Sequence, residues 1–422
     1  MVRIYYSLYD RMLTETRLLQ AFQKVKANKG KPGIDGQTVE DFADRAPEEL
    51  ALLVRELKDK SYRPQPVRRV EIRKEGGGIR ELGIPTVRDR VVQQALLEIL
   101  QPIFDPEFHP SSYGYRPGRS CHQAIAKAAL FIRRYQRQWV VDMDLSKCFD
   151  TLDHDLILRA FRQRIADGSI LGLLRMFLQS GVMLADGWRA SEEGSPQGGV
   201  ISPLIANVYL DAFDQKMKAR GHRIVRYADD ILILTGSKSA AHNALQVARG
   251  ILEGELLLRV NEQKTGIVHS RLGVNFLSVV IHTGYTRIKD DKVKKFKDKV
   301  RGITQRNSPV NLEKVIKDLN PMIRGFANYF RIANCQGVFR ELDKWIRRRL
   351  RAKQLKLWKK PSRLHRRLRQ LGYRGEVQAI KMSAWRSAAS PLASYVIPNS
   401  YLGELGLFEM GRVKTGNLPQ VT

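Results

Sequence analysis

Two adjacent acids, Asp229 and Asp230, stand in the run Arg226-Tyr227-Ala228-Asp229-Asp230-Ile231-Leu232-Ile233, with Ile224 and Val225 leading in and apolar residues continuing to Leu234. This pattern predicts a strand, a two-residue turn and a second strand. A hairpin tip normally takes Gly at a position of positive φ, yet neither turn residue here is Gly. Holding two like charges side by side on a rigid element raises one pKa, and a divalent cation resolves the repulsion. Taken alone, an Asp-Asp pair also reads as an exposed acidic turn.

A second acidic strand shifts that balance. Trp139-Val140-Val141-Asp142-Met143-Asp144-Leu145 is apolar and β-branched, carries acids, and leads through Ser146 to Asp150 into a helix expected to begin near His154. Carboxylates arriving from different strands are what two-metal phosphoryl transfer requires, with two ions about 3.5–4 Å apart. Asp144, Asp229 and Asp230 would supply them if the two segments neighbour each other in one antiparallel sheet. Asp142 shares a face with Asp144 but lies a full repeat earlier, and Asp150 falls beyond the strand end.

The elements around these acids carry many cations. Val70 to Leu82 reads as a hairpin with a triple-glycine tip (Gly76 to Gly78), flanked by Lys74 and Arg80, which could close on a triphosphate. A solvated basic hairpin would look the same. The chain has 73 Lys+Arg against 43 Asp+Glu, a formal charge of +30, as expected for a phosphate-backbone partner and for salt-sensitive binding. No apolar run is long enough to span a membrane and no signal-peptide pattern opens the chain, so a cytoplasmic protein without a membrane partner is expected. Cys121, Cys148 and Cys335 are far apart, so neither a disulfide framework nor a zinc site is expected.

Four motifs in order resemble those of reverse transcriptases: Asn28 to Gly36, Val141 to Asp150, Ser195-Pro196-Gln197-Gly198-Gly199-Val200-Ile201-Ser202-Pro203, and Tyr227 to Asp230. Together they resemble the group II intron-encoded reverse transcriptase/maturase family over nearly the whole chain. The resemblance implies that Asp144, Asp229 and Asp230 are catalytic and bind two Mg²⁺ ions, with the Leu145 carbonyl a further ligand. It implies nucleotide contacts from Lys74, Arg80, Phe149 (a steric gate against a ribose 2′-hydroxyl), Gln197 and Lys264, and template, primer or phosphate contacts from Arg116, Arg119 and Tyr227. On residue type alone, Phe149 is an ordinary core aromatic, Lys264 a surface lysine and the Gln197 loop a turn.

Stepping out along the chain, helices around Glu15–Lys26, Pro47–Lys58 and Val91–Leu100 alternate with strands, an α+β pattern. The expected architecture is a right-hand polymerase, with fingers and palm over 1–285, a helical thumb or maturase domain over 286–360, and a small basic DNA-binding region over 361–422. Val274 to Val280 is expected to close the palm; the family usually has Leu-Gly there, and Ser278 departs from it. Between Lys344 and Arg369 stand thirteen Lys/Arg and no Asp/Glu, interleaved with apolar residues at helical spacing, and Pro361 is expected to divide two helices. Arg347, Arg348, Arg349, Arg351, Lys353, Lys359, Lys360, Arg366 and Arg367 are therefore expected to coat a face that grips RNA or DNA.

The expected partners are group II intron RNA, an RNA template with a DNA primer, target DNA and dNTPs, while monomer and homodimer both stay open. No Cys- and His-containing endonuclease module follows, which resembles the compact bacterial lineage and implies a primer made elsewhere. The leading expectation is an RNA-directed DNA polymerase that also aids splicing and copies its intron into DNA during retrohoming. A splicing maturase with vestigial polymerase activity and a CRISPR-associated or otherwise domesticated reverse transcriptase are the alternatives.

Overall fold

A computed structural model of the chain describes residues 3–73, 77, 79–184, 187–189, 194, 198–358, 362, 366, 369–370, 393–394 and 397–421. These form two compact units, Met1–His269 and Ser270–Thr422. In the first, α1 (Glu15–Ala27), α2 (Val39–Asp44) and α3 (Ala46–Lys58) precede a hairpin of β1 (Val67–Arg73) and β2 (Ile79–Ile84). There follow α4 (Val87–Phe104), α5 (Cys121–Arg133), β3 (Trp139–Met143), α6 (His154–Arg162), α7 (Gly168–Gln179), β4 (Val182–Leu184), β5 (Gly187–Arg189), α8 (Ser202–Ala219), β6 (Arg223–Tyr227), β7 (Asp230–Thr235), α9 (Lys238–Arg249) and β8 (Gly266–His269). Helix starts follow local chemistry: Thr38 and Asp41 form a capping box on α2, Ser120 and Gln123 form another on α5, and the Asp153 carboxylate accepts the Leu156 N–H so that α6 begins at His154.

The sheet that carries the acids has the order β6-β7-β3-β8, antiparallel throughout. Val141, Met143, Ile231, Ile233 and Ile224 enter the main core with α8 and α9, so Asp142, Asp144 and Asp230, of opposite parity, lie on the other face. β6 is an edge strand. Its exposure is blunted by the loop 111–113, where Ser111 O accepts the Arg226 N–H and Arg226 O accepts the Tyr113 N–H. A second sheet, β2-β1-β4-β5, contains the basic hairpin.

The second unit opens with β9 (Val274–Phe276), β10 (Val279–Ile281) and β11 (Thr286–Ile288), and continues with α10 (Asp290–Ile303), α11 (Leu312–Phe330), α12 (Gln336–Leu357) and α13 (Asn399–Glu404). Residues 274–280 were expected to add a strand to the palm. Instead they turn back on themselves at Leu277 (φ +46) and Ser278 (φ +69), in a separate three-stranded meander. Two left-handed residues are what a tight hairpin needs, which explains why Gly is favoured at 278, and Ser accepts the conformation here. The meander packs with the helices, since Tyr329 Oη donates to Leu277 O at 2.8 Å and the Thr286 N–H donates to Asn334 Oδ1 at 2.9 Å. Packing therefore divides the chain at His269 rather than near residue 285.

The end of the chain is also bound to these helices. The Asp343 carboxylate of α12 accepts the N–H groups of Met410 (3.1 Å) and Gly411 (2.7 Å), and Asn320 of α11 exchanges hydrogen bonds with Gly406 and Phe408. Residues 397–421 thus close over α11 and α12 rather than forming a region of their own. Among the described residues, no helix is long and apolar enough to cross a membrane.

Candidate active site

The register of β3 on β7 ends at Met143 opposite Ile231, which places Asp144 one step further on, against Asp230. Tyr227 pairs with Asp230 across the hairpin, leaving Ala228 and Asp229 as the two turn residues. The three acids expected from sequence are therefore neighbours, as the antiparallel arrangement demands. Their carboxylates burden one another. Burial, then the charges of Asp229, Asp144 and Asp142, push the Asp230 carboxyl up to about 7.

The segment after the Leu145–Val260 bridge grips Asp144 from the other side. Lys264 Nζ donates to Asp144 Oδ2 at 2.9 Å, Asn261 Nδ2 donates to the same oxygen at 3.3 Å, and Asp144 O accepts the Asn261 N–H at 2.9 Å. The hydrogen bond to Asp144 in turn raises the Lys264 pKa. Lys264, expected at the nucleotide pocket, thus pairs directly with Asp144. Among the described residues, no three His, Cys, Asp or Glu side chains are gathered tightly enough to hold a metal ion. The fit to Mg²⁺ rests instead on donor type and charge: all-oxygen carboxylates suit this hard ion, and the charge repulsion at Asp230 is what a cation relieves.

This repulsion makes a stability prediction. The folded pKa of Asp230, about 7, exceeds its ordinary value of 3.8, so the folded state holds a proton that the unfolded chain has released across that window. The stabilisation is complete below the lower value and is lost as pH rises through the upper one. Asp230→Asn, neutral throughout, is expected to raise Tm in EDTA at about pH 8 and by much less at about pH 5. Equal gains at the two pH values would contradict the assignment.

The turn itself is strained and braced. Ala228 has φ +57, a conformation in which Gly is usual, and a Cβ on Gly114 would lie 2.3 Å from Ala228 N, so the loop backbone presses directly on the turn. Beneath it lies a residue whose role the sequence reading missed. Arg226, fully buried, donates Nε to both Asp214 carboxylate oxygens at 2.9 Å and Nη2 to Asp214 Oδ2 at 2.6 Å. Its Nη1 donates to Asn207 Oδ1 (3.0 Å) and Ala228 O (3.1 Å), while Asn207 Nδ2 donates to Gly114 O at 2.9 Å. One guanidinium fork therefore ties α8, the 111–114 loop and the acid turn together. A lone Arg at a core-facing position of an apolar strand was the available signal.

Phe149 is buried, just after Lys147 at φ +48, with the Tyr115 ring edge-on at 6.4 Å. Its neighbour Cys148 is also buried, which pushes that thiol up to about 12, with the Asp229 charge adding to the shift. Gln197 lies outside the described residues, but the loop that follows it is fixed. Gly198, at φ +118, lies against β2 so closely that a Cβ would meet Gly83 O at 2.3 Å, and the Val200 N–H donates to Gln93 Oε1 at 2.7 Å. Gln93 is a second residue that went unnoticed in the sequence.

Of the expected phosphate contacts, Arg116 is engaged within the protein. Arg116 is buried and its guanidinium is occupied, bonding both the carboxylate and carbonyl of Asp105 and the carbonyls of His109 and Ser112. It staples the loop together. Arg119 stays exposed, its guanidinium 5.6 Å from the Tyr113 ring centre, and Tyr227 is half-buried beside Asp230. Lys74 lies outside the described residues, and Arg80 is placed only by its backbone pairing with Ile72.

In the second unit the cationic coat is partly internal. Arg351 and Lys353 are buried: Arg351 donates to Ile397 O and Asn399 Oδ1 at 2.8 Å, and Lys353 Nζ donates to Gln305 O and Ser308 O at 3.2 and 2.8 Å. Arg349 donates to Thr304 Oγ1 at 2.6 Å, and Arg347 faces Glu409 at 3.8 Å. From Leu350 to Leu355 every residue of α12 is buried, so Arg351 and Lys353 hold the surrounding segments. Arg348 and Arg366 are exposed. Lys359, Lys360, Pro361 and Arg367 lie outside the described residues.

Residues 72–281 match the family described as reverse transcriptase (RNA-dependent DNA polymerase), and residues 293–372 match the group II intron maturase-specific domain. Protein YkfC of Escherichia coli (strain K12) is 38% identical over 307 residues, covering 63% of this chain and 81% of that protein. The group II intron-encoded protein LtrA of Lactococcus lactis subsp. cremoris is 28% identical over 433 residues, covering 78% of this chain and 71% of that protein. With paired acids on an antiparallel sheet and a helical basic unit after it, the chain belongs to the group II intron-encoded reverse transcriptase and maturase family, with its right-hand polymerase fold and its functions in RNA-directed DNA synthesis and splicing.

Proposed function

We propose that Asp144, Asp229 and Asp230, with the Leu145 carbonyl, hold two Mg²⁺ ions and that this site extends a DNA primer on an RNA template from dNTPs. The observation that carries the proposal is the register that sets Asp144 against Asp230 beside the Asp229 turn. When bound, the ions supply activation of the primer 3′-hydroxyl and neutralisation of the departing pyrophosphate. The protein's own groups do the positioning. The Arg226 fork fixes the turn, Lys264 balances the Asp144 charge, Phe149 lies where it would meet a ribose 2′-hydroxyl, and Arg119 offers a phosphate contact. Lys74, Arg80 and Gln197 complete the nucleotide pocket in this reading.

The basic second unit would hold intron RNA and the template-primer duplex. Matches at 72–281 and 293–372 support a functional boundary near residue 285, although packing divides the chain earlier. A DNA-target role for 361–422 and retrohoming of the intron rest on family resemblance. The test is primer extension on an RNA template across a Mg²⁺ titration, and absence of product at every concentration sinks the proposal. In the same assay Phe149→Ala is expected to admit ribonucleotides, raising rNTP incorporation relative to dNTP by roughly tenfold or more, the scale of a lost steric exclusion. Unchanged sugar selectivity would remove Phe149 from the pocket.

A further inference from the structure

At the opposite end of β6 from the acid turn, a cavity of about 370 Å³ opens between the 109–111 loop, α5 with the residues that follow it, and the end of α8. Four strand residues separate the two places, roughly 13 Å at 3.3 Å per residue. The cavity is lined by Lys127, Arg137, Lys218 and Arg223, and no carboxylate is among its lining residues. Its apolar wall is Phe131, buried, beside Tyr135, a residue 54% exposed whose ring centre lies 6.0 Å from that of Phe131. His109 also lines it, with Nδ1 accepting the Ser111 N–H at 3.0 Å, which leaves Nε2 as the proton-bearing donor.

We propose that this cavity is a second nucleotide-binding site, distinct from the polymerase centre, which takes a 5′-phosphate between the four cations and stacks the attached base on Tyr135. Positive charge of one sign converging on a walled cavity calls for an anion, and an aromatic face at its mouth calls for a planar ring. The size suits one nucleotide unit, being at the lower end of ordinary ligand pockets. The cations crowd one another as the proposal requires. Burial, followed by the charges of Arg223 and Arg119, lowers the Lys127 pKa, and burial followed by Arg220 lowers that of His222, another lining residue.

The test is photolabelling of the full chain with 8-azidoadenosine 5′-phosphate in EDTA, followed by peptide mapping, with primer extension measured in parallel. Label is expected on residues 128–137. Lys218→Glu/Arg223→Glu is expected to reduce it roughly tenfold or more by reversing the charge that holds the phosphate, with primer extension retained. Should that variant unfold, Tyr135→Ala, a change at an exposed ring, gives the second measure and is expected to weaken protection by AMP roughly tenfold. Stronger competition by oligo(A) than by AMP at equal nucleotide concentration assigns the site to a nucleic-acid strand, and equal competition assigns it to a free nucleotide. Label confined to the Phe149 and Tyr227 segments, or label unchanged in both variants, overturns the proposal.

Discussion

Asp229→Ala is expected to abolish primer extension, by more than about a thousandfold, while RNA binding at fixed salt changes less than about twofold. The two effects separate because they rest on different parts of the molecule. Asp229 is one of two residues in the turn between β6 and β7, beside Asp230, which the sheet register sets against Asp144. Under the proposed two-metal reading, removing it takes away a ligand oxygen at the point where charge must be neutralised in the transition state. It leaves the cations of a chain with formal charge +30 untouched. The turn should survive, since Asp229 belongs to a group of acids that repel one another, and its loss relieves Asp230. Appreciable synthesis by a folded Asp229→Ala protein would remove the acid hairpin from catalysis.

Arg226→Met should lose both stability and activity, and the two losses can be separated. Arg226 and Asp214 form an ion pair in which neither side chain is exposed. Deleting one partner strands the other charge in the core, at a cost of about 3–5 kcal/mol, or a fall in Tm of roughly 10 °C for a unit of this size. Arg226→Met/Asp214→Leu removes both charges, and such replacements by apolar residues are often neutral or better. The double variant should therefore regain most of the lost Tm. It should not regain activity, because the bond from Nη1 to Ala228 O at 3.1 Å, which holds the strained turn, is still missing. Misplacing reacting groups by about 1 Å costs on the order of a hundredfold in rate. Recovery of both properties together would reduce Arg226 to a stabilising residue with no part in positioning the acids.

Elements were legible where the sequence carries a period. The hairpin at Ala228-Asp229 and the start of α6 at His154 fall where alternation and capping put them. The acid triad could be assembled because each member ends or follows an apolar strand. Partners far apart in sequence were not legible. Lys264 meets Asp144 across 120 positions, and Arg116 and Lys353 look like any other cations until their carbonyls and carboxylates are in place. Periodicity reports which face of an element is buried, but it does not report that a charged side chain will be enclosed with a complete set of acceptors. The turn at Leu277-Ser278 was missed for a related reason: positive φ without Gly leaves no mark in residue type.

The enclosed cations of α12 also bear on how tightly ions in solution compete with nucleic acid. The slope of affinity against salt counts only those charges that displace condensed counterions from phosphates. Arg351 and Lys353 face carbonyls inside the protein and displace none. A tally of basic residues along this helix therefore overstates the number of sodium or potassium ions released when a polyanion docks.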